Sequence, residues 1–158
     1  MLFPESTEKS RILHCIIIAV IALFYYSTYY DLRIGMHDEG FMFYYAQRML
    51  AGEMPYKDFV TAYGFLWHYP IVFLFNIFGA TFNVMRMFWF GALGLAGVLS
   101  FYILDKITKQ RVVAYVGALA IIAFHSKIYR ALTPFAIILC IFVFIECNFW
   151  QEKKRIPF

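Results

Sequence analysis

The stretch FLWHYPIVFLFNIF, residues 65–78, sets the direction of every segment that follows it. It is apolar but short, it carries His68, Pro70 and Asn76, and Gly79 closes it. An apolar run of about 10–14 residues is more often interfacial or re-entrant than spanning. If it does not cross a membrane, the chain enters and leaves residues 31–86 on one side. If it does, every later apolar run is reversed.

The chain around it makes a membrane the relevant solvent. It is 63% hydrophobic and only 15% charged over 158 residues, whereas soluble domains are roughly half apolar and a quarter charged. A soluble helical domain of this length cannot hide that much apolar surface. Residues 12–30, ILHCIIIAVIALFYYSTYY, are long enough to cross a hydrocarbon layer needing about 20 residues. Lys9 and Arg11 precede the run, and Tyr25, Tyr26, Tyr29 and Tyr30 crowd its far end as an interfacial aromatic belt would. The run is long for a signal peptide and no small-x-small cleavage site follows it, so an uncleaved span with a cytoplasmic N-terminus is expected.

Basic residues arbitrate the short segment. With residues 65–78 kept on one side, 87–104 runs inward, 112–126 outward and 132–150 inward. Lys106, Lys109 and Arg111, and then Lys153, Lys154 and Arg155, fall on the cytoplasmic side, as positively charged loops do. A crossing at 65–78 would put both clusters outside. The expectation is an all-α polytopic membrane protein with about four spans, forming one membrane domain over residues 1–158. Surface helices at about 39–51 and 65–78 lie in its first outer loop. The net charge of +4 sits at the ends of apolar runs, which argues for membrane orientation and against nucleic acid. Cys15, Cys140 and Cys147 all lie in apolar segments without C-x-x-C spacing, and read as small hydrophobes. Ala92, Ala96 and Ser100 recur every fourth residue near Gly91, Gly94 and Gly97, a pattern that lets membrane helices approach closely.

The chemistry concentrates in HDEGFMFYYAQRMLAGEMPYKDF, residues 37–59. Phe41, Met42, Tyr45, Met49 and Leu50 recur at helical spacing, and Gly52 and Pro55 end the helix. Asp38 can cap that helix, Glu39 favours the positive end of its dipole, and Arg48 then reads as a solvated side chain. The same placement suits catalysis. A carboxylate at the membrane edge is partly desolvated, which raises its pKa toward that of a useful general base. Lys57 and Arg86, if close, can neutralise a phosphate leaving group. Capping and catalysis are compatible.

The pattern D-E-G-x(5)-A-Q-R-M-L-A-G-E-M-P-Y-K-D-F continues into an aromatic-rich short helix ending in Phe78–Gly79, with Arg86 seven residues on. It resembles the N-terminal part of the polytopic GT-C glycosyltransferases. The family-39 type is nearest in pattern: protein O-mannosyltransferases, the lipid A aminoarabinose transferase, and dolichyl-phosphate-mannose-type relatives. The similarity covers roughly residues 10–150. It implies transfer of a sugar from a polyprenyl-phosphate carrier to a hydroxyl of a protein, lipid or glycan, usually with inversion. The reaction would run on the outer face of a membrane, here a bacterial inner membrane. The resemblance makes Asp38 the catalytic base. It places Lys57, Asp58 and Arg86 where relatives contact the carrier phosphate or hold the loop, and His37 and Glu39 join them as substrate-binding candidates. The next outer loop, HSKIYRALTPF, lacks the second carboxylate that many relatives carry there and has Thr133 instead. No divalent metal is therefore expected. His125, Lys127 and Arg130 in that loop can serve an anionic phosphate or snorkel at the interface, and Arg130 is counted among the substrate-binding candidates. His14 and His68 lack partners at metal-ligand spacing and are expected to pack.

Family members are usually several hundred residues long, so the chain reads as the N-terminal part of such an enzyme, inactive by itself. Two other functions compete. A non-enzymatic subunit would use the aromatic outer loop for docking. A transporter would need ionisable residues at mid-membrane, and here His14 and Glu146 lie toward the cytoplasmic ends of their runs.

Overall fold

The computed structural model describes residues 8–28, 38–61, 64–123, 137–143, 145–146 and 150, and their regular structure is helical with no strand. The helices are α1 (Glu8–Ser27), α2 (Asp38–Leu50), α3 (Tyr69–Phe78), α4 (Phe82–Thr108) and α5 (Arg111–Ala123). A single 3₁₀ turn, Phe65–Trp67, precedes α3. Helix α1 and helix α4 are each long and apolar enough to cross a bilayer, which points to a membrane protein.

The faces of α1 show what solvent it expects. Arg11, Ile18, Ala22 and Tyr26 are buried along one stripe at seven- and four-residue spacing. The rest of the surface exposes Ile12, Leu13, Ile16, Ile17, Val20, Ile21, Leu23 and Phe24. An unbroken apolar face of this kind would be a large liability in water and is ordinary in lipid.

Helix α1 packs antiparallel on α4. Arg11 donates to Asp105 at 2.8 Å near one end, a Cβ placed on Gly94 would stand 3.5 Å from that of Ala22, and Tyr26 stacks on Phe90 with centroids 4.9 Å apart near the other. Residue numbers rise along α1 as they fall along α4. The chain therefore leaves α1 and enters α4 at the same end of the bundle. Tyr26 is buried there, with its hydroxyl donating to the Ile122 carbonyl at 3.3 Å, so packing rather than interfacial exposure fixes it.

Helix α5 returns along α4 through a two-residue corner. Lys109 adopts φ +55°, and its N–H closes the helix on the Asp105 carbonyl. Small residues bring the two helices together. A Cβ on Gly97 would stand 2.7 and 2.8 Å from the Cγ1 and Cδ1 of Ile122, and one on Gly117 would collide with Leu104. Ala92, Ala96 and Ser100 are buried on the same helix. Gly91 differs, with nothing within 4 Å of a Cβ built there. Residues 137–143 are helical; Phe142 packs on Tyr102, and farther on Glu146 accepts from Lys106 at 2.6 Å, so this segment runs parallel to α4.

The Arg11 end of the bundle is held by polar side chains. Arg11 joins Asp105 and Glu8, and it lies 5.4 Å above the Tyr102 ring. Arg111 reaches Ser10 and His14, the latter at 2.9 Å through Nε2. Arginine can only donate, so Nε2 must accept; the Nδ1 proton then goes to the Tyr115 hydroxyl at 2.6 Å. His14 is thus a fixed connector of α1 to α5, consistent with the packing role expected of it.

Helix α3 is ten residues long, about 15 Å against a hydrocarbon core of about 30 Å. Gly79, at φ +89°, ends it with its N–H on the Phe75 carbonyl. With α2, it occupies the end of the bundle where α4 begins.

Replacing Gly97 with Val should cost about 1–3 kcal/mol through overpacking against Ile122, whereas Gly91→Val should be near neutral. Thermal unfolding in detergent reads both, and equal losses would refute the packing assignment. Arg11→Met should cost about 3–5 kcal/mol by leaving Asp105 buried without its cation, and Arg11→Met with Asp105→Leu should recover most of it.

A candidate site at the start of helix α2

Asp38 is the first residue of α2 and is half-buried. Sequence reading placed it one residue earlier, as the cap. Glu39 follows it and is buried. Its carboxylate accepts from the Arg86 guanidinium at 2.9 Å, with side chains 8% and 5% exposed, so this is an ion pair almost wholly out of solvent. One turn further along α2, Phe43 stacks on Phe82 at 4.1 Å. These two contacts, Glu39–Arg86 and Phe43–Phe82, run α2 antiparallel to the first turns of α4. The N-terminus of α2 is consequently its end nearest the bundle, at about the level of Arg86, one turn before the Tyr26–Phe90 contact.

Arg86 is thus engaged by Glu39, where the sequence reading set both against substrate. Lys57 and Asp58 are elsewhere. They belong to the loop after α2, near Arg48, which lies about 15 Å along the helix axis from Asp38. Asp58 acts within its own loop: Oδ2 accepts from the Met54 N–H at 2.8 Å, and its carbonyl accepts from Arg48 at 3.2 Å. Arg48 pairs with Glu53 and lies 4.6 Å above the Phe59 ring. It is the organiser of the loop, not a solvated bystander. Gly52 at φ +91° turns the chain out of α2, and Tyr56 at φ +64° is held left-handed by its N–H to the Phe59 carbonyl at 2.7 Å. Lys57 is exposed at the tip. His37 and Arg130 lie outside the described residues, as do His125, Lys127 and Thr133.

Beneath the loop sits His68, fully buried. Its Nε2 meets the Thr61 hydroxyl at 3.4 Å, its ring stands edge-on to Tyr45, and Nδ1 has no hydrogen-bond partner among the described residues. Burial pushes the imidazole below its usual pKa. Neither Arg48 nor His68 carried a periodic or motif signal for these roles. The Arg48–Glu53 pair spans the Gly52 turn, and His68 meets Tyr45 of α2 and Thr61 of the loop.

Helices α1 and α4 also leave a groove between them, on the side where Gly91 faces open space. It encloses about 430 Å³ and is lined by Ala19, Leu23 and Tyr26 of α1 and by Met87, Gly91 and Gly94 of α4, among others. The lining is almost wholly apolar. Its upper end, at Ser27 and Met87, comes within one residue of Arg86 along α4. Among the described residues no three His, Cys, Asp or Glu side chains gather as metal ligands.

Comparisons of the chain with family models, with curated proteins and with solved structures give no match. The site therefore has to be read from its own residues.

A buried neutral His68 makes the seating of the loop pH-dependent. The opened loop lets His68 take a proton near the ordinary pKa of 6.5, while the seated form resists it. Stability of the seated loop is full above that value and falls as pH drops below it. Hydrogen exchange of residues 53–61, corrected for intrinsic rates, should rise between about pH 7 and about pH 5. His68→Gln should remove the trend, and a flat wild-type profile would contradict it.

Proposed function

We propose that this chain carries the general base of a multi-pass membrane glycosyltransferase, Asp38, which activates an acceptor hydroxyl. The N-terminus is cytoplasmic, four spans are formed by α1, α4, the segment begun by α5 and the segment containing 137–146, and α2 and α3 lie at the outer face. The observation that carries the reading is the position of Asp38. It stands half-buried at the bundle end of α2, next to a buried ion pair whose Arg86 precedes Met87 of the apolar groove. A base needs partial desolvation together with access, and this position supplies both.

In this reading the groove takes part of the prenyl chain of a lipid-linked sugar, which brings its phosphate to the level of Asp38. The acceptor hydroxyl gives its proton to the Asp38 carboxylate as its oxygen attacks the anomeric carbon. A new glycosidic C–O bond forms on the face opposite the leaving group, and the C–O bond to phosphate breaks. The polyprenyl phosphate departs with the electron pair, and Asp38 releases its proton to water. Of the cations read from the sequence, Arg130 is kept for the phosphate, and Lys57 is not, because its loop lies at the far end of α2 from Asp38. Arg86 is not counted either, because it is neutralised by Glu39. The family resemblance of residues 38–59 supports the same assignment, and the sugar and acceptor are left open by it.

The full-length protein in native membranes, given a panel of polyprenyl-phosphate-linked hexoses and pentoses, should transfer label to an endogenous acceptor. Asp38→Asn should lower that transfer by about 10²–10⁴-fold with insertion intact. Full activity in that variant would remove Asp38 as base. Absence of transfer from every donor, combined with co-purification of a partner dependent on the aromatic loop, would favour the docking subunit instead.

A further inference from the structure

We infer that the Glu39–Arg86 ion pair is a positioning device that sets where the Asp38 carboxylate stands; the inference rests on Asp38 being the base. Three observations carry it. The pair joins residues far apart in sequence, and both side chains are nearly excluded from solvent. Such a pair is held in one geometry because each charge has lost its water and the other charge stands in its place. Second, the main packing of α2 is indirect. It rests on α3 through Phe43 and Phe75, and α3 in turn rests on α4. The ion pair and the Phe43–Phe82 stack are direct ties between α2 and α4. Third, these two ties are spaced one turn apart on both helices, so together they fix the rotation of α2 as well as its depth. Asp38 is covalently next to Glu39, about 100° around the same turn. The position of its backbone therefore follows from where Arg86 holds Glu39.

The pair also explains why a carboxylate and a guanidinium are buried at a place where an apolar pair would fold as well. A Leu–Met contact could slide by a fraction of a turn, whereas the guanidinium–carboxylate hydrogen bond cannot slide without stranding a charge. Glu39 and Arg86 act through Asp38 and need not touch the substrate.

The test uses the full chain with its three native cysteines replaced by Ala, reconstituted in nanodiscs. Spin labels at positions 38 and 98 report where residue 38 stands relative to α4, and labels at 19 and 98 report the α1–α4 bundle. In the parent the 38–98 distance distribution should be narrow. Glu39→Ala should broaden or shift it while leaving the 19–98 distribution unchanged, and the exchanged pair Glu39→Arg with Arg86→Glu should restore it. A 38–98 distribution that Glu39→Ala leaves unchanged would overturn the inference. If 19–98 also broadens, the pair supports the whole bundle and the positioning role is likewise rejected. With Asp38 present and a donor accepted in the transfer assay, Glu39→Ala should lower kcat by about 10–100-fold at unchanged KM, and the exchanged pair should recover it. Full kcat in Glu39→Ala, with transfer still dependent on Asp38, would reject positioning. Transfer that survives Asp38→Asn, alongside the expected distance changes, would leave the strut in place and remove the catalytic reading above it.

Discussion

The antiparallel contact of α1 with α4 constrains everything else in this structure. Arg11 meets Asp105 at one end and Tyr26 meets Phe90 at the other. Between them, small side chains let the helices approach at Ala22 and Gly94. Once that contact is made, the chain between the two helices must begin and end at one end of the bundle. A ten-residue α3 cannot bridge to the far end, so it folds back over the start of α4 with α2 alongside it. The placement of α2 and α3 is thus a consequence of the register of two helices.

The charged side chains divide into two groups with different work. At the Arg11 end, Glu8, Asp105, Lys106, Arg111 and Glu146 tie helices to one another where apolar packing gives way to polar surroundings. At the other end, Glu39 and Arg86 do this for a single short helix. Arg48, Glu53 and Asp58 then make the loop beyond it self-supporting. Ion pairs exposed to water contribute little to stability, whereas those removed from it fix geometry strongly. On that scale Glu39–Arg86 and Arg11–Asp105 matter most.

Much of the fold was legible from residue pattern. The run at 12–30 corresponds to α1 at 8–27, and the short run at 65–78 to a 3₁₀ turn and α3. The stop at Gly52 follows from its left-handed backbone, and among the small residues of 87–104 Gly94 marks the approach to α1 and Gly97 the approach to α5. These features are local or periodic, so they leave a signal in the chain. Pairings across long separations leave none. Glu39 and Arg86 stood out individually because charge is rare in so apolar a chain, yet nothing in their spacing said that they would bind each other. Arg48 looked like a surface residue because its partners lie across the turn that follows it. His68 was expected to pack, and it does, but its cage draws on Tyr45 and Thr61, which no periodicity connects.

Helix α4 carries one more implication. Its 27 residues make it about 40 Å long, roughly 10 Å more than a typical hydrocarbon core. That excess must be absorbed by tilt or by protrusion. Arg86 stands in the second turn of α4, so the thickness of the surrounding bilayer sets the depth of the Glu39–Arg86 pair. A thicker bilayer draws the pair toward hydrocarbon and strengthens its mutual attraction. A thinner one lets headgroups and water reach it and weakens the hold on α2. Lipid composition would then tune the rigidity of this end of the protein without touching any residue of the site.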